Sequence, residues 1–221
     1  MTRLRVPETD QGILGRLTVE IYDQMQRRLR DKGWIETKDI TKSGIAHGHV
    51  LEIGPGPGYL GLEWLKNTRD TILKGLDISA DMIAVAERNA RAYRLEERVE
   101  YVHSSGARLP FEDSCFDAVF TANSLHEWSK PRETLREAWR VLKPSGRLFI
   151  TDFRRDMLPL FKWCLWLIAK PTAIRPGLLT SINAAYTPDE VRALIREAEL
   201  SPCEVVGGPV GLTIIGIKQT S

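Results

Sequence analysis

Long apolar runs are missing from this chain. The most apolar stretch, residues 157–169, is interrupted by Lys162 and is too short to span a bilayer. The opening M-T-R-L-R-V-P-E-T-D lacks the apolar core of a secretory leader. Cysteine is scarce: Cys115, Cys164 and Cys203 are odd in number, lie far apart and form no C-x-x-C pair, which fits a reducing compartment and no zinc site. A dominant charge is lacking too. The 31 Lys and Arg stand against 29 Asp and Glu, and a net charge of +2 is too mild to argue for nucleic acid. The chain has no internal repeat and no low-complexity tract. With 221 residues, 43% of them hydrophobic and 27% charged, it reads as one globular domain, expected in the cytoplasm.

What the chain does have is an unusual turn. Residues 50–60 read V-L-E-I-G-P-G-P-G-Y-L: an apolar run, residues 49–53, feeds three glycines at alternate positions, Gly54, Gly56 and Gly58, and then a helix-compatible segment from Tyr59. Glycine admits positive φ and has no Cβ to hold a ligand off the backbone. The N–H groups that open a helix point into the same space. A dinucleotide fingerprint needs its third glycine where this chain has Tyr59, and a phosphate-cradling P-loop needs a lysine that this turn lacks. There remain an acid, Glu52, one residue removed from the first glycine, and a second acid, Asp77, ending the strand-like run 72–77. A carboxylate accepting two hydroxyl hydrogen bonds makes a charge-assisted bidentate contact that a neutral side chain cannot match.

In this order and spacing the residues resemble the class I S-adenosylmethionine-dependent methyltransferases, the branch that includes the ubiquinone and menaquinone biosynthesis enzymes. The resemblance covers residues 17–218. It implies a Rossmann-like α/β fold in three layers, with helices on both faces of a seven-stranded, mostly parallel sheet carrying one antiparallel strand. It also implies S-adenosyl-L-methionine as cofactor, released as S-adenosyl-L-homocysteine. Glu52, Gly54, Pro55, Gly56 and Gly58 are then expected beside the methionine part, Asp77 on the ribose hydroxyls, and Ile78 and Met82 as walls for the adenine. Where the family writes G-D-A-x-x-L-P-F, this chain has Ser105 in place of the aspartate and Gly106 in place of the alanine, so the adenine contact carries no charge. Tyr22, in a Y-D pair ahead of the turn, is expected over the cofactor, and Ala122 and Asn123, leaving the fourth strand, complete the expected set. The string R-V-L-K-P-S-G-R-L-F-I-T-D, residues 140–152, matches the family's connection into strand five.

Along the chain, Leu17, Ile21, Met25 and Leu29 mark one face of a helix over residues 17–32, with Arg16, Arg27, Arg28, Arg30 and Lys32 around it. Residues 1–47 are expected to form an N-terminal helical cap. Helices are expected over 59–67, over 80–94 behind the N-cap Ser79, over 131–142 opening on a proline, and over 188–199 behind Thr187. Strands are expected over 99–103 and 116–121, with two more over 205–218 joined at Gly208-Pro209. Residues 153–186, containing Phe161, Trp163 and Trp166, read as an irregular aromatic-rich insertion and a lid over the substrate site. A buried internal cap is preferred there to a helix resting on a membrane surface.

In-line methyl transfer asks the protein to exclude water, align the nucleophile and accept a proton. His126 is the candidate general base, because imidazole titrates near neutrality and the loop after strand four is where substrate chemistry gathers. No Asn/Asp-Pro-Pro-Tyr/Phe follows that strand, where Ala122-Asn123-Ser124-Leu125 stands instead, so base or glutamine N-methylation is not expected. No second acid pair accompanies Asp152, so no metal is expected. The expected acceptor is a small apolar or aromatic molecule methylated on oxygen, carbon or nitrogen. A non-catalytic cofactor-binding sensor and an RNA methyltransferase are the alternatives.

Overall fold

The computed structural model describes residues 4–7 and 15–220. Its centre is β1 (Gly48–Ile53), whose last four residues are all buried, as expected for a parallel strand covered on both faces. It pairs in parallel with β2 (Thr71–Asp77) on one side and β4 (Phe116–Ala122) on the other. β3 (Val99–His103) lies outside β2, and β5 (Leu142–Phe153) outside β4, both parallel to their neighbours. β7 (Gly211–Ile217) pairs antiparallel with β5 and with β6 (Cys203–Gly207), giving the order β3-β2-β1-β4-β5-β7-β6. β7 is the single antiparallel strand of a seven-stranded sheet.

Side chains alternate across this sheet into two cores. On one face Leu51, Leu76, Val119, Leu148 and Ile150 pack with Leu135 of α5 (Pro131–Val141) and with Val191 and Ile195 of α8 (Pro188–Glu197). On the other, Val50, Leu73, Phe120 and Phe149 meet Trp64 and Leu65 of α3 (Tyr59–Lys66) and Ile40 of α2 (Thr37–Lys42). The result is three α/β/α layers. Helix starts follow the local chemistry. Ser79 Oγ accepts the Met82 N–H at 3.3 Å to open α4 (Ala80–Tyr93), and Thr187 with Glu190 forms a capping box at α8.

The first helix, α1 (Arg16–Asp31), docks through one buried carboxylate. Asp23 accepts from the Tyr59 hydroxyl at 3.0 Å, Asn89 Nδ2 at 3.0 Å, Arg27 at 3.0 Å and Arg88 at 3.2 Å, tying α1 to α3 and α4. The basic face is thereby partly used: Arg27 also donates to the Tyr59 hydroxyl, and Arg30 donates to the Tyr93 hydroxyl and to Asp31. The Arg16 side chain, and residues 1–3 and 8–14 of the expected cap, lie outside the described residues.

Residues 153–186 depart most from expectation. They are two ten-residue helices, α6 (Pro159–Ile168) and α7 (Arg175–Ala184), not an irregular stretch. Pro159 and Pro176 suggest breaks in the sequence, yet each sits in the first turn of its helix, where proline lacks only an N–H that would have no partner anyway. They do not form an internal cap. α7 buries Ile182 and Ala184, but α6 buries no residue, and Trp163 is 57% exposed.

Candidate active site

The glycine turn joins the end of β1 to the start of α3, and its shape is fixed by close approaches. Gly54 has φ +69°, its N–H donates to the Leu76 carbonyl at 2.8 Å, and a Cβ there would collide with Ser124 Oγ. Gly58 caps α3 with φ +82°, and a Cβ there would stand 2.5 Å from the Tyr101 hydroxyl. Larger residues are excluded at both positions. Between them, the Gly56 N–H donates to Asp77 Oδ2 at 3.0 Å, and the Tyr22 ring lies 3.4 Å from where a Gly56 Cβ would be.

The parallel register that places Ile53 beside Leu76 brings Asp77 against this turn. Asp77 Oδ1 accepts the Ser79 N–H at 2.9 Å, so each carboxylate oxygen has a backbone partner and keeps acceptor capacity for another donor. Burial holds its pKa above the ordinary carboxylate value, and the backbone N–H groups oppose that shift. Glu52 is 2% exposed, and its Oε2 has no hydrogen-bond partner among the described residues. Burial, with the Asp77 charge adding to it, pushes Glu52 up to about 8. Burial also raises the Tyr22 hydroxyl, which accepts from Gln26 Nε2 at 3.0 Å and is raised further by the charges of Glu127, Asp77 and Glu36.

One cavity collects most of the residues singled out in the sequence. Tyr22, Glu52, Gly54, Pro55 and Gly56 line it from α1, β1 and the turn; Asp77, Ile78 and Met82 line it from the end of β2 and the start of α4. Ser105 and Gly106 come from the loop after β3, and Ala122 and Asn123 from the end of β4. The Ser105 hydroxyl already accepts the Ala107 N–H at 3.3 Å. Gly106 replaces the family's alanine for a local reason, since a Cβ would come within 2.9 Å of Thr134 Cγ2.

Gly58 and His126 are not among the lining residues. Gly58 shapes the turn from behind. His126 is buried against Asp152, with Nδ1 2.8 Å from Oδ1 and its own N–H donating to Oδ2 at 2.7 Å, while Nε2 stands 3.9 Å from Glu127 Oε1. The side chain that reaches the cavity from this loop is Glu127, together with Trp128. Glu36 also lines it, accepting from Asn123 Nδ2 at 3.4 Å, and is raised by burial. Glu36 had no signal in the sequence, because it precedes a helix of six residues outside any motif. No residue of 153–186 lines the cavity, although α7 packs on the turn Leu125–Glu127 and Thr172–Ile174 packs on α1. Among the described residues no group of three or more His, Cys, Asp or Glu is placed to hold a metal ion.

An open, mostly parallel sheet with its cavity at the carboxyl ends of β1, β2 and β4 is the arrangement in which α/β enzymes bind nucleotide-like ligands. Comparison with known proteins makes the assignment sharper. A family model described as a methyltransferase domain matches residues 51–150. The chain is 31% identical over 188 residues to the demethylmenaquinone methyltransferase of Deinococcus radiodurans, covering 81% of this chain and 76% of that protein. It is 31% identical over 159 residues to the 27-O-demethylrifamycin SV methyltransferase of Amycolatopsis mediterranei, covering 71% of this chain and 55% of that protein. A crystal structure of a SAM-dependent methyltransferase from Aquifex aeolicus superposes over 93% of this chain and 99% of that one, with a TM-score of 0.69 at 21% identity, and so shares the fold.

The chain belongs to the class I S-adenosylmethionine-dependent methyltransferases, and S-adenosylmethionine is its cofactor. The residues present fit that ligand. The buried Glu52 carboxyl lining the cavity suits an ammonium, Asp77 retains acceptor capacity for hydroxyls, and the turn leaves the backbone bare where a ligand must come close.

Proposed function

We propose that this enzyme methylates a small molecule that is uncharged where it enters the cavity and largely apolar or aromatic. The observation that carries this reading is the charge of the lining. Glu36, Glu52, Asp77 and Glu127 contribute carboxyl groups, and no Lys, Arg or His among the described residues lines the cavity. An anionic acceptor would meet repulsion from these carboxylates, with no cationic side chain in the lining to offset it. Tyr22, Ile35, Leu60 and Trp128 supply apolar wall. The substrates for which the two relatives are named, a demethylated menaquinone and a demethylated rifamycin, support the same class.

When bound, the cofactor supplies an electrophilic methyl group on a sulfonium. The chain's own residues hold and orient the reactants. With the cofactor bound, Asp77 would accept from the ribose hydroxyls, Glu52 would face the ammonium, and Ile78 and Met82 would flank the adenine beside Ser105, with Tyr22 lying against Gly56. His126 does not itself line the cavity, but Asp152 holds its Nδ1 and its Nε2 stands 3.9 Å from Glu127 Oε1, so a proton leaving the acceptor can be taken by the lining carboxylates Glu36 and Glu127, with His126 behind Glu127. Burial raises Glu36, which makes its carboxylate a stronger base than an exposed one.

Transfer of labelled methyl to a panel of hydroquinones and phenols, each paired with a carboxylated analogue, tests the reading. Turnover of neutral members with much lower kcat/KM for their anionic partners is the expected result. Comparable turnover of the anionic partners, or transfer to RNA alone, would overturn it.

A further inference from the structure

The exposed face of α6 is apolar along its whole length. Leu160, Trp163, Cys164, Leu167 and Ile168 are all exposed and follow the i, i+3, i+4, i+7, i+8 spacing of one helical stripe. A soluble helix normally turns such a stripe to the core, yet the half-buried positions here, Phe161, Leu165 and Trp166, are apolar as well. Leu158 extends the patch by one residue, at 64% exposed. The segment of residues 4–7 extends it further. The Val6 N–H donates to the Asn183 carbonyl at 3.3 Å, and Lys162 donates to Asn183 Oδ1 at 2.9 Å, so this segment and α6 meet at one residue of α7. Leu4 is 91% and Val6 59% exposed. Together, residues 4–6 and 158–168 hold seven of the thirteen large apolar side chains that are exposed among the described residues. Such a concentration marks an interaction surface.

The charge around the stripe selects the partner. Residues 157–188 contain no Asp or Glu but do contain Lys162, Lys170 and Arg175. Lys170 is exposed at the end of α6, and Arg175 stacks on the Trp166 ring with its guanidinium carbon 4.2 Å from the centroid. A second copy docking face to face through this helix would bring the same cations of both chains together, which disfavours that occupant. An anionic bilayer meets both requirements: its interface accepts a shallow apolar helix carrying tryptophan, and its surface attracts the cations.

We propose that α6 and the adjoining residues 4–6 dock this enzyme onto an anionic lipid surface. The helix lies in the interface plane, since no helix among the described residues is long and apolar enough to cross a membrane. The docked element also adjoins the cavity, because α6 packs on α7, and α7 packs on the turn that carries Glu127. An apolar acceptor dissolved in the bilayer would therefore reach the enzyme on the side where the cavity wall is built.

Co-sedimentation of the full chain with vesicles of pure phosphatidylglycerol or pure phosphatidylcholine tests the proposal. Binding to phosphatidylglycerol is expected to exceed binding to phosphatidylcholine by tenfold or more and to weaken with salt, each cation near the surface contributing about fivefold. Trp163→Ser with Leu167→Ser should reduce it by at least about tenfold. Lys170→Glu should reduce it separately and leave cofactor affinity intact. The altered side chains are exposed, so melting temperatures should match the wild type. Absence of vesicle binding, equal binding of the double variant, or a concentration-dependent dimer abolished by the same two substitutions would each overturn the proposal, the last by assigning the face to a second copy.

Discussion

Replacing Glu52 by glutamine should make the protein more stable at alkaline pH and poorer at holding its cofactor. In the fold the carboxyl is buried, and burial, with the Asp77 charge adding to it, pushes its pKa up from 4.5 to about 8 against the opposing hydrogen bond from the Gly61 backbone. The folded value lies above the unfolded one, so between the two the native state binds the extra proton. Stability therefore falls as pH rises from about 4.5 toward 8 and is level beyond. By linkage the penalty is on the order of 4 kcal/mol at about pH 8 and under 1 kcal/mol at about pH 5. In a chain of 221 residues, 3 kcal/mol corresponds to a melting shift of roughly 6–12 °C. Glutamine cannot ionise, so the variant should lose this component of the pH dependence while keeping every other titration.

The assay is thermal unfolding of wild type and Glu52→Gln without ligand at both pH values, comparing the difference between the two proteins. Calorimetric titration of S-adenosylhomocysteine in two buffers of unlike ionisation enthalpy completes it. Facing an ammonium, Glu52 must ionise, so wild type should release close to one proton on binding near pH 7, and its affinity should rise by up to about tenfold per unit below pH 8. The glutamine variant should bind more weakly and release no such proton. Parallel stability profiles for the two proteins would refute the claim that Glu52 is forced to carry a proton in the empty site.

Two other perturbations probe the same cavity. Asp77→Ala removes a charged acceptor and should weaken S-adenosylhomocysteine by about 1.5–3 kcal/mol, roughly ten- to a hundredfold in calorimetric affinity; unchanged affinity would exclude Asp77 from the ribose. Asp23→Ala strands Tyr59, Asn89, Arg27 and Arg88 donors around a vacated buried site, so urea unfolding should show a loss of about 3 kcal/mol. Because Asp23 holds the helix that carries Tyr22, cofactor affinity should fall with it even though Asp23 is not among the lining residues.

How much of this was legible depended on the range of the signal. The turn at residues 54–58, the acid ending β2 and the capping box at Thr187 are local, and each states its purpose within a few residues. β6 and β7 were legible as a pair because Gly208-Pro209 punctuates them. The failures are non-local. Glu36 reaches the cavity only because α2 packs on α3 and brings Glu36, at its start, to Asn123 after β4, and no spacing announces that. His126 was legible from its loop, but its partner was not: β5 brings Asp152 to its Nδ1, 26 residues away in the chain, and the side chain from this loop that lines the cavity is Glu127. The two helices of 153–186 were missed because the stretch read as irregular, although Pro159 and Pro176 stand in the first turns of both. The exposed stripe on α6 was likewise unreadable, since its aromatic spacing is the same whether the stripe faces a core or the outside.

The carboxyl groups of the cavity also act as a set. Burial raises Glu36, Glu52 and Asp77 alike, and the Asp77 charge raises Glu52 further. Several buried acids sharing one wall cannot all ionise without an opposing charge, so the empty site stores part of its acidity as bound protons. A ligand bearing a sulfonium and an ammonium replaces those protons with fixed positive charge and recovers the Coulomb attraction that the empty cavity withheld. Loss of the methyl group removes the sulfonium charge. The product would keep its ammonium, so Glu52 would stay ionised opposite it, while the attraction between the lining carboxylates and the sulfonium would be lost. The acidity that disfavours anionic acceptors would therefore also favour cofactor over product.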